Sequence, residues 1–195
     1  MDKLTRDDLL SLEAYAACRD QFRRDVMTHK ILRQIQLGEH IRLLFEDRLT
    51  MQYQIQEMLR VERIFEADAI QEELDTYNPL IPDGSNWKAT MLIEYSDVDE
   101  RRKALAELIG VERKLWIRVN GYEPVYAIAD EDLERKNEEK TSSVHFLRFE
   151  LPSKVLKSVR NAKTGVRMGV DHPGYYVDMD MPDQSRIALL KDLNG

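Results

Sequence analysis

Charged side chains recur in this chain at helical positions that a plain core would fill with aliphatics. Between Thr50 and Asp75, a projection at about 100° per residue puts Met51, Ile55, Met58, Glu62, Phe65 and Ala69 on one stripe, with Gln54 at its edge. Glu62 thus falls in the middle of the most apolar line. Tyr53, Glu57, Arg60, Val61 and Ile64 form a second, mixed face. Between Thr5 and Gln36 the same projection aligns Leu12, Tyr15, Arg19, Phe22, Val26, His29 and Arg33, with Arg23 and Lys30 at the margin. A buried carboxylate needs a partner, because an unpaired charge is costly to take out of water. The cationic stripe offers one. Two chemistries are then open. In the first, Arg19, His29 and Arg33 form a buried ion-pair network with Glu57 and Glu62 that fixes helix docking and adds little net stability. In the second, these residues line a polar cleft with Tyr53 and Gln54 and bind a small anionic ligand, since the planar guanidinium fork suits carboxylate or phosphate.

Histidines offer a third chemistry. The sequence has four, at positions 29, 40, 145 and 172. A set of His29, Glu57, His145 and His172 has the ligand types that zinc or iron accepts. No H-x-x-x-H or E-x-x-H spacing occurs among them, however, and the di-iron carboxylate signature is absent. Alternation puts His145 with Leu147 and Phe149 on one strand face, where a satisfied core histidine is the simpler reading. His172 lies in Asp-His-Pro-Gly, where Asp171 is placed to orient its ring. Cys18 has no histidine near it in sequence and reads as a small buried thiol. No G-x-S-x-G elbow, P-loop or G-x-G-x-x-G is present, which removes the common hydrolase and nucleotide-binding routes.

The elements that must position these groups follow from caps, stops and periodicity. Thr5 with Asp8 opens a helix to about Gln36, stopped by Gly38. A strand spans His40–Glu46, and Asp47 or Thr50 caps the second helix to Asp75. Residues 76–86 are turn-rich and mark a possible internal boundary. A strand at Trp87–Tyr95 precedes a helix opened by Ser96 with Asp99 and ended by Gly110. Leu115–Val119 and Tyr122–Ile128 flank Asn120-Gly121, a strong hairpin signal. The charged run between Ala129 and Lys140 reads as a loop. Val144–Leu151 is a strand, Ser153–Lys163 a helix, and two strands surround Asp171–Gly174 before a helix at Asp183–Leu193. This order predicts one α+β domain over 1–195, with a mostly antiparallel sheet and the long N-terminal helices packed against it.

The bulk properties narrow the partners. A net charge of −7, from 29 basic and 36 acidic residues, argues against a general nucleic-acid or membrane-surface binder. The sequence lacks a run of about 18 apolar residues that would span a membrane. The charged segment MDKLTRDDLLSLEAY has no signal-peptide core, and one cysteine excludes an intrachain disulfide. A cytoplasmic protein is the expectation.

The runs HKILRQIQLGEH, LLFEDRLTMQYQIQEMLRVERI and EELDTYNPLIPDG resemble the bacterial family called domain of unknown function 3501. The segments KATMLIEY, KTSSVHFLRFEL and GVDHPGYY extend the resemblance to nearly the whole chain. The resemblance carries no catalytic residue. It implies a setting beside rubrerythrin-like and iron–sulfur proteins, and hence an accessory or binding role in redox or oxidative-stress physiology. The alternative is an enzyme acting on a small anionic substrate between the helices at 5–36 and 50–75.

Overall fold

Alternation decides where the first helix ends. In the computed structural model, which describes residues 2–129, 140–161 and 164–193, Thr5 caps only a 3-10 turn at Arg6–Asp8. Helix α1 (Leu12–Ile31) starts afresh, with the Ser11 hydroxyl accepting from the Ala14 N–H at 3.2 Å. Past Ile31, Gln34-Ile35-Gln36-Leu37 alternates exposed and buried as strand β1 (Gln34–Leu37) and turns through Gly38, at φ 67°, into β2 (Ile41–Phe45). The expected helix to Gln36 is therefore too long. A period-2 pattern beside a ready antiparallel partner outcompetes one more helical turn. Arg33 leaves the helical stripe and sits at the helix–strand junction.

The second expected helix is also divided. Asp47 caps α2 (Arg48–Glu62), exchanging bonds with Thr50 in a capping box. Arg63 then adopts a left-handed conformation (φ 55°, ψ 43°), and the Ile64 N–H closes back on the Leu59 carbonyl at 2.9 Å. This is a Schellman-type end without glycine. The chain folds back as α3 (Ala67–Tyr77), so that Ile70 and Leu74 join Leu4, Met51, Ile55, Leu59 and Ile81 in a helical core of their own. One straight helix would carry Ile70 and Leu74 away from those partners.

The rest is antiparallel β-structure with short helices. In order it comprises β3 (Asn86–Ile93), α4 (Val98–Glu107), β4 (Leu115–Val119), β5 (Val125–Tyr126), β6 (Ile128–Ala129), β7 (Val144–Glu150), α5 (Ser153–Val159), β8 (Val166–His172), β9 (Tyr175–Asp180) and α6 (Asp183–Leu189), then a 3-10 turn at Leu190–Leu193. The fold class is α+β, as expected, but the strands form two sheets instead of one: β1-β2-β3-β7-β6 and β5-β4-β8-β9. The chain passes from one to the other at Ala127, between β5 and β6. Inward residues of both sheets, among them Leu43, Trp87, Met91, Phe149, Ile117 and Met168, share a single core with Leu105 from α4 and Leu108, which caps its end. Leu189 and Leu193 also enter it, and the Trp87 indole N–H donates to the Leu189 carbonyl at 2.8 Å.

Smaller expectations shift too. Asp97 rather than Ser96 caps α4, because its carboxylate reaches the N–H groups of Asp99 and Glu100 at 2.9 Å. Asn120-Gly121 does turn the chain, with Gly121 at φ 86° and Tyr122 N–H on the Val119 carbonyl. The innermost β4–β5 partners are Ile117 and Val125, so the loop is wider than a two-residue hairpin. The helix expected to reach Lys163 ends at Val159. The charged loop expected within 130–139, and residues 162–163, lie outside the described residues. No described helix is long and apolar enough to cross a membrane.

Candidate functional site: the ion-paired seam of α1 and α2

Three layers of side chains line the seam. At one end Glu57 of α2 accepts from Arg19 in bidentate fashion, Nε to Oε1 and Nη2 to Oε2, both at 2.8 Å. The Tyr15 hydroxyl donates to the same Oε1 at 2.7 Å, and Arg60 adds a longer bond at 3.3 Å. Arg19 above all, and then Tyr15 and Arg60, hold the Glu57 carboxyl at about 2, outweighing the opposing effect of burial. Burial, together with donation to Glu57, pushes the Tyr15 phenol up. In the middle, Phe22 lies 6.2 Å from the Tyr53 ring, and the Lys30 ammonium sits 5.7 Å from that ring's centroid. At the far end the His29 Nε2 approaches Asp47 Oδ2 at 2.5 Å, donating to a carboxylate already fixed by the Thr50 N–H.

Behind His29 lies a second, deeper cluster. Arg33 is 2% exposed and spends every nitrogen: Nε on the Phe45 carbonyl at 3.0 Å, Nη2 on the Glu46 carbonyl at 3.0 Å, and both Nη atoms on Asp192 at 3.2 and 2.5 Å. Its Nη1 is also 3.5 Å from Asp47 Oδ2. Burial alone would raise the Asp47 carboxyl, but the bond from His29, the Arg33 charge and the Thr50 N–H together bring it below the usual range. Glu46 accepts the hydroxyls of Thr50 at 2.6 Å and Thr90 at 2.8 Å, which ties the start of α2 to β3. The seam is thus continuous from Tyr15 to the C-terminal turn.

The sequence-predicted residues divide sharply. Arg19, Glu57, Tyr53 and His29 meet at the seam. Arg33 meets its acids one layer deeper. Glu62 does not take part: it lies exposed in the last turn of α2, because the helix ends there. Gln54 is half-buried beside Tyr53, whereas its neighbour Gln56 is fully buried and clamps both the N–H and the carbonyl of Leu10. The four proposed metal ligands are not brought together. His145 is buried on β7 with its Nε2 2.9 Å from the Ser142 carbonyl and from Thr141 Oγ1, and His172 sits at the β8–β9 turn. The His172 ring is oriented by the Gly174 N–H and the Ile109 carbonyl, not by Asp171, which points to solvent. Among the described residues no group of three or more His, Cys, Asp or Glu is set to hold a metal. Cys18 is exposed on the outer side of α1, not buried. Sequence reasoning missed Tyr15, Asp47 and Asp192 as partners. Asp47 was visible as a cap, but nothing local marks Asp192.

A partly open cleft of about 340 Å³ lies away from the seam, between the N-terminal segment and the α2–α3 corner. Leu9, Leu12, Leu59, Ile64 and Phe65 wall it, with Arg6 and Glu13 among its lining residues.

The Glu57 layer makes a direct prediction. Glu57→Gln keeps an acceptor for Tyr15 but removes the charge that Arg19 neutralises, so a loss of about 1–2 kcal/mol is expected at neutral pH. A carboxyl depressed on folding contributes fully above pH 4.5, the unfolded value, and loses that contribution as pH falls toward about 2. Urea unfolding of both proteins at several pH values should therefore converge in acid. A gap that stays constant down to pH 2 would contradict this account.

Fold and seam together define an α+β protein, with two antiparallel sheets around one core and an ion-paired layer of helices beside them. The chain belongs to the family described as protein of unknown function DUF3501, whose model matches residues 3–193. It is similar, at 50% identity and a TM-score of 0.94, to the crystal structure of a novel protein of unknown function from Burkholderia pseudomallei K96243, covering 99% of this chain and 100% of that one. A comparison with curated proteins found no match.

Proposed function

We propose that this is an accessory binding protein that engages a redox partner, a rubrerythrin-like or iron–sulfur protein. The observation that supports binding over turnover is the saturation of the seam: both carboxylate oxygens of Glu57 and the whole Arg33 guanidinium are engaged within the protein. A small anion would have to displace Glu57 from Arg19, exchanging one carboxylate for another with no net gain in charge. What the surface offers instead is apolar. Leu10 and Phe65, which line the same cleft, are 40% and 68% exposed, and apolar exposure gathered in this way suits a protein partner. The redox character of that partner rests on the family resemblance. The alternative reading, an enzyme acting on a small anionic substrate between α1 and α2, requires Arg19 to exchange its acid for the substrate's.

The test is affinity capture with the full chain from peroxide-stressed cells, followed by titration calorimetry against the purified candidate. The proposal expects a rubrerythrin-like or iron–sulfur protein in stoichiometric yield, with binding weakened at least tenfold by Phe65→Asp. Recovery of no such protein, or unchanged affinity after that substitution, overturns it.

A further inference from the structure

The cluster around Arg33 is out of charge balance. It sets two carboxylates, Asp47 and Asp192, against one guanidinium, with the His29 ring on one side and the Glu46 carboxylate behind Thr50. Arg33, Asp47 and Asp192 are 2%, 7% and 1% exposed, so water screens the excess poorly. The three acids are not equally supported. Asp47 receives the Thr50 N–H and His29, and Glu46 receives two hydroxyls. Among the described residues, Asp192 is bonded only by Arg33. It is the most deeply buried of the acids and the one with the fewest partners, so it is where a neutralising proton is best held.

Asp192 also occupies a mechanically telling place. It lies in the turn Leu190–Leu193, which follows α6 and carries Leu193 into the sheet core. The Trp87 bond to the Leu189 carbonyl ties down the end of α6 where the turn begins, and Arg160, which donates to the Leu193 carbonyl, ties down the turn's last residue. We propose that this C-terminal turn is a proton-dependent clasp: with one proton in the Arg33 cluster it is held against the core, and loss of that proton at higher pH loosens it.

Titration supports the geometry. Burial raises the Asp192 carboxyl to about 6, against the opposing pull of Arg33. A group raised above its exposed value of 3.8 stabilises fully below pH 3.8, and that contribution is lost as pH rises through about 6. Asp47 is shifted the other way and keeps its charge, so it repels Asp192 as soon as the latter ionises. Besides Asp47, the charged groups acting on Asp192 are Arg33 and His29, from α1 and its junction; Glu46, just before α2, is bonded to Thr50 and Thr90, Arg160, after α5, to the Leu193 carbonyl, and Lys191, on the same turn, is exposed.

Hydrogen exchange of the full chain tests the clasp. Corrected for intrinsic rates, opening at the amides of residues 190–193 should rise about tenfold between about pH 5 and pH 8, as the two Asp192 values dictate. Opening inside β3 should change far less, and Asp192→Asn should flatten the profile. A flat profile in the parent protein, or an undiminished slope in the variant, overturns the proposal. If Asp192→Asn does not fold, carboxyl NMR of the parent protein decides: a midpoint near 6 for Asp192 supports the clasp, and one below about 4.5 refutes it.

Discussion

Replacing Arg33 by methionine is expected to destabilise the protein by about 3–5 kcal/mol, the usual range when one partner of a buried pair is removed. The magnitude follows from what is left behind. The Phe45 and Glu46 carbonyls lose their side-chain donors, and Asp192 loses its described partner inside the core. Equilibrium urea unfolding measures the loss. A second replacement sharpens the test: Arg33→Met combined with Asp192→Leu should recover part of it, because an apolar pair of similar volume needs no desolvated charge. A double variant as unstable as the sum of the two single ones would mean that the pair is not coupled and that the cluster's geometry matters less than its volume. The same experiment bears on the clasp, since both carboxylates of the cluster depend on Arg33.

Trp87→Ala should cost a similar amount, about 3–5 kcal/mol, by leaving a large cavity where relaxation is limited. Trp87 is 0% exposed and packs edge-on to Phe45, with ring centroids 6.4 Å apart. Its indole is also the peg on which α6 hangs, through the Leu189 carbonyl. Trp87→Phe separates the two roles. Most of the volume remains, but the carbonyl loses its donor, so the loss should fall to about 1–3 kcal/mol. Exchange at the C-terminal turn should rise more than exchange in β7, although both neighbour β3. Thermal unfolding gives the first quantity and amide exchange the second. Equal loosening of β7 and the C-terminal turn would show that the indole serves only as bulk.

How far these sites could be read from the chain depends on how local their causes are. The α1 stripe was legible because Tyr15, Arg19, Phe22, Val26 and His29 follow helical spacing, and a helix needs only that spacing to gather them on one face. The placing of Glu62 failed for the opposite reason. Its helix stops one residue later, at Arg63, which is neither glycine nor asparagine and gives no local warning of a left-handed end. What ends α2 is the gain from folding Ile70 and Leu74 onto Ile55 and Leu59, a contact between segments. Gln34–Leu37 alternates with a strand's period, but four residues are too few to outweigh a helical spacing that continues through Arg33.

By itself, the sequence determined the α+β class, most strand positions and the facing of Leu147 and Phe149 with His145, because each depends on the periodicity of a short run. It determined that cations and carboxylates had to meet. Tertiary structure alone decided which ones. Arg33 finds Asp192 across 159 positions of chain, through a turn that only the closing of two sheets brings to the end of α1. No local pattern encodes such a pairing. Its partner is chosen by where the backbone of another element must pass, and by the cost of leaving a buried charge alone.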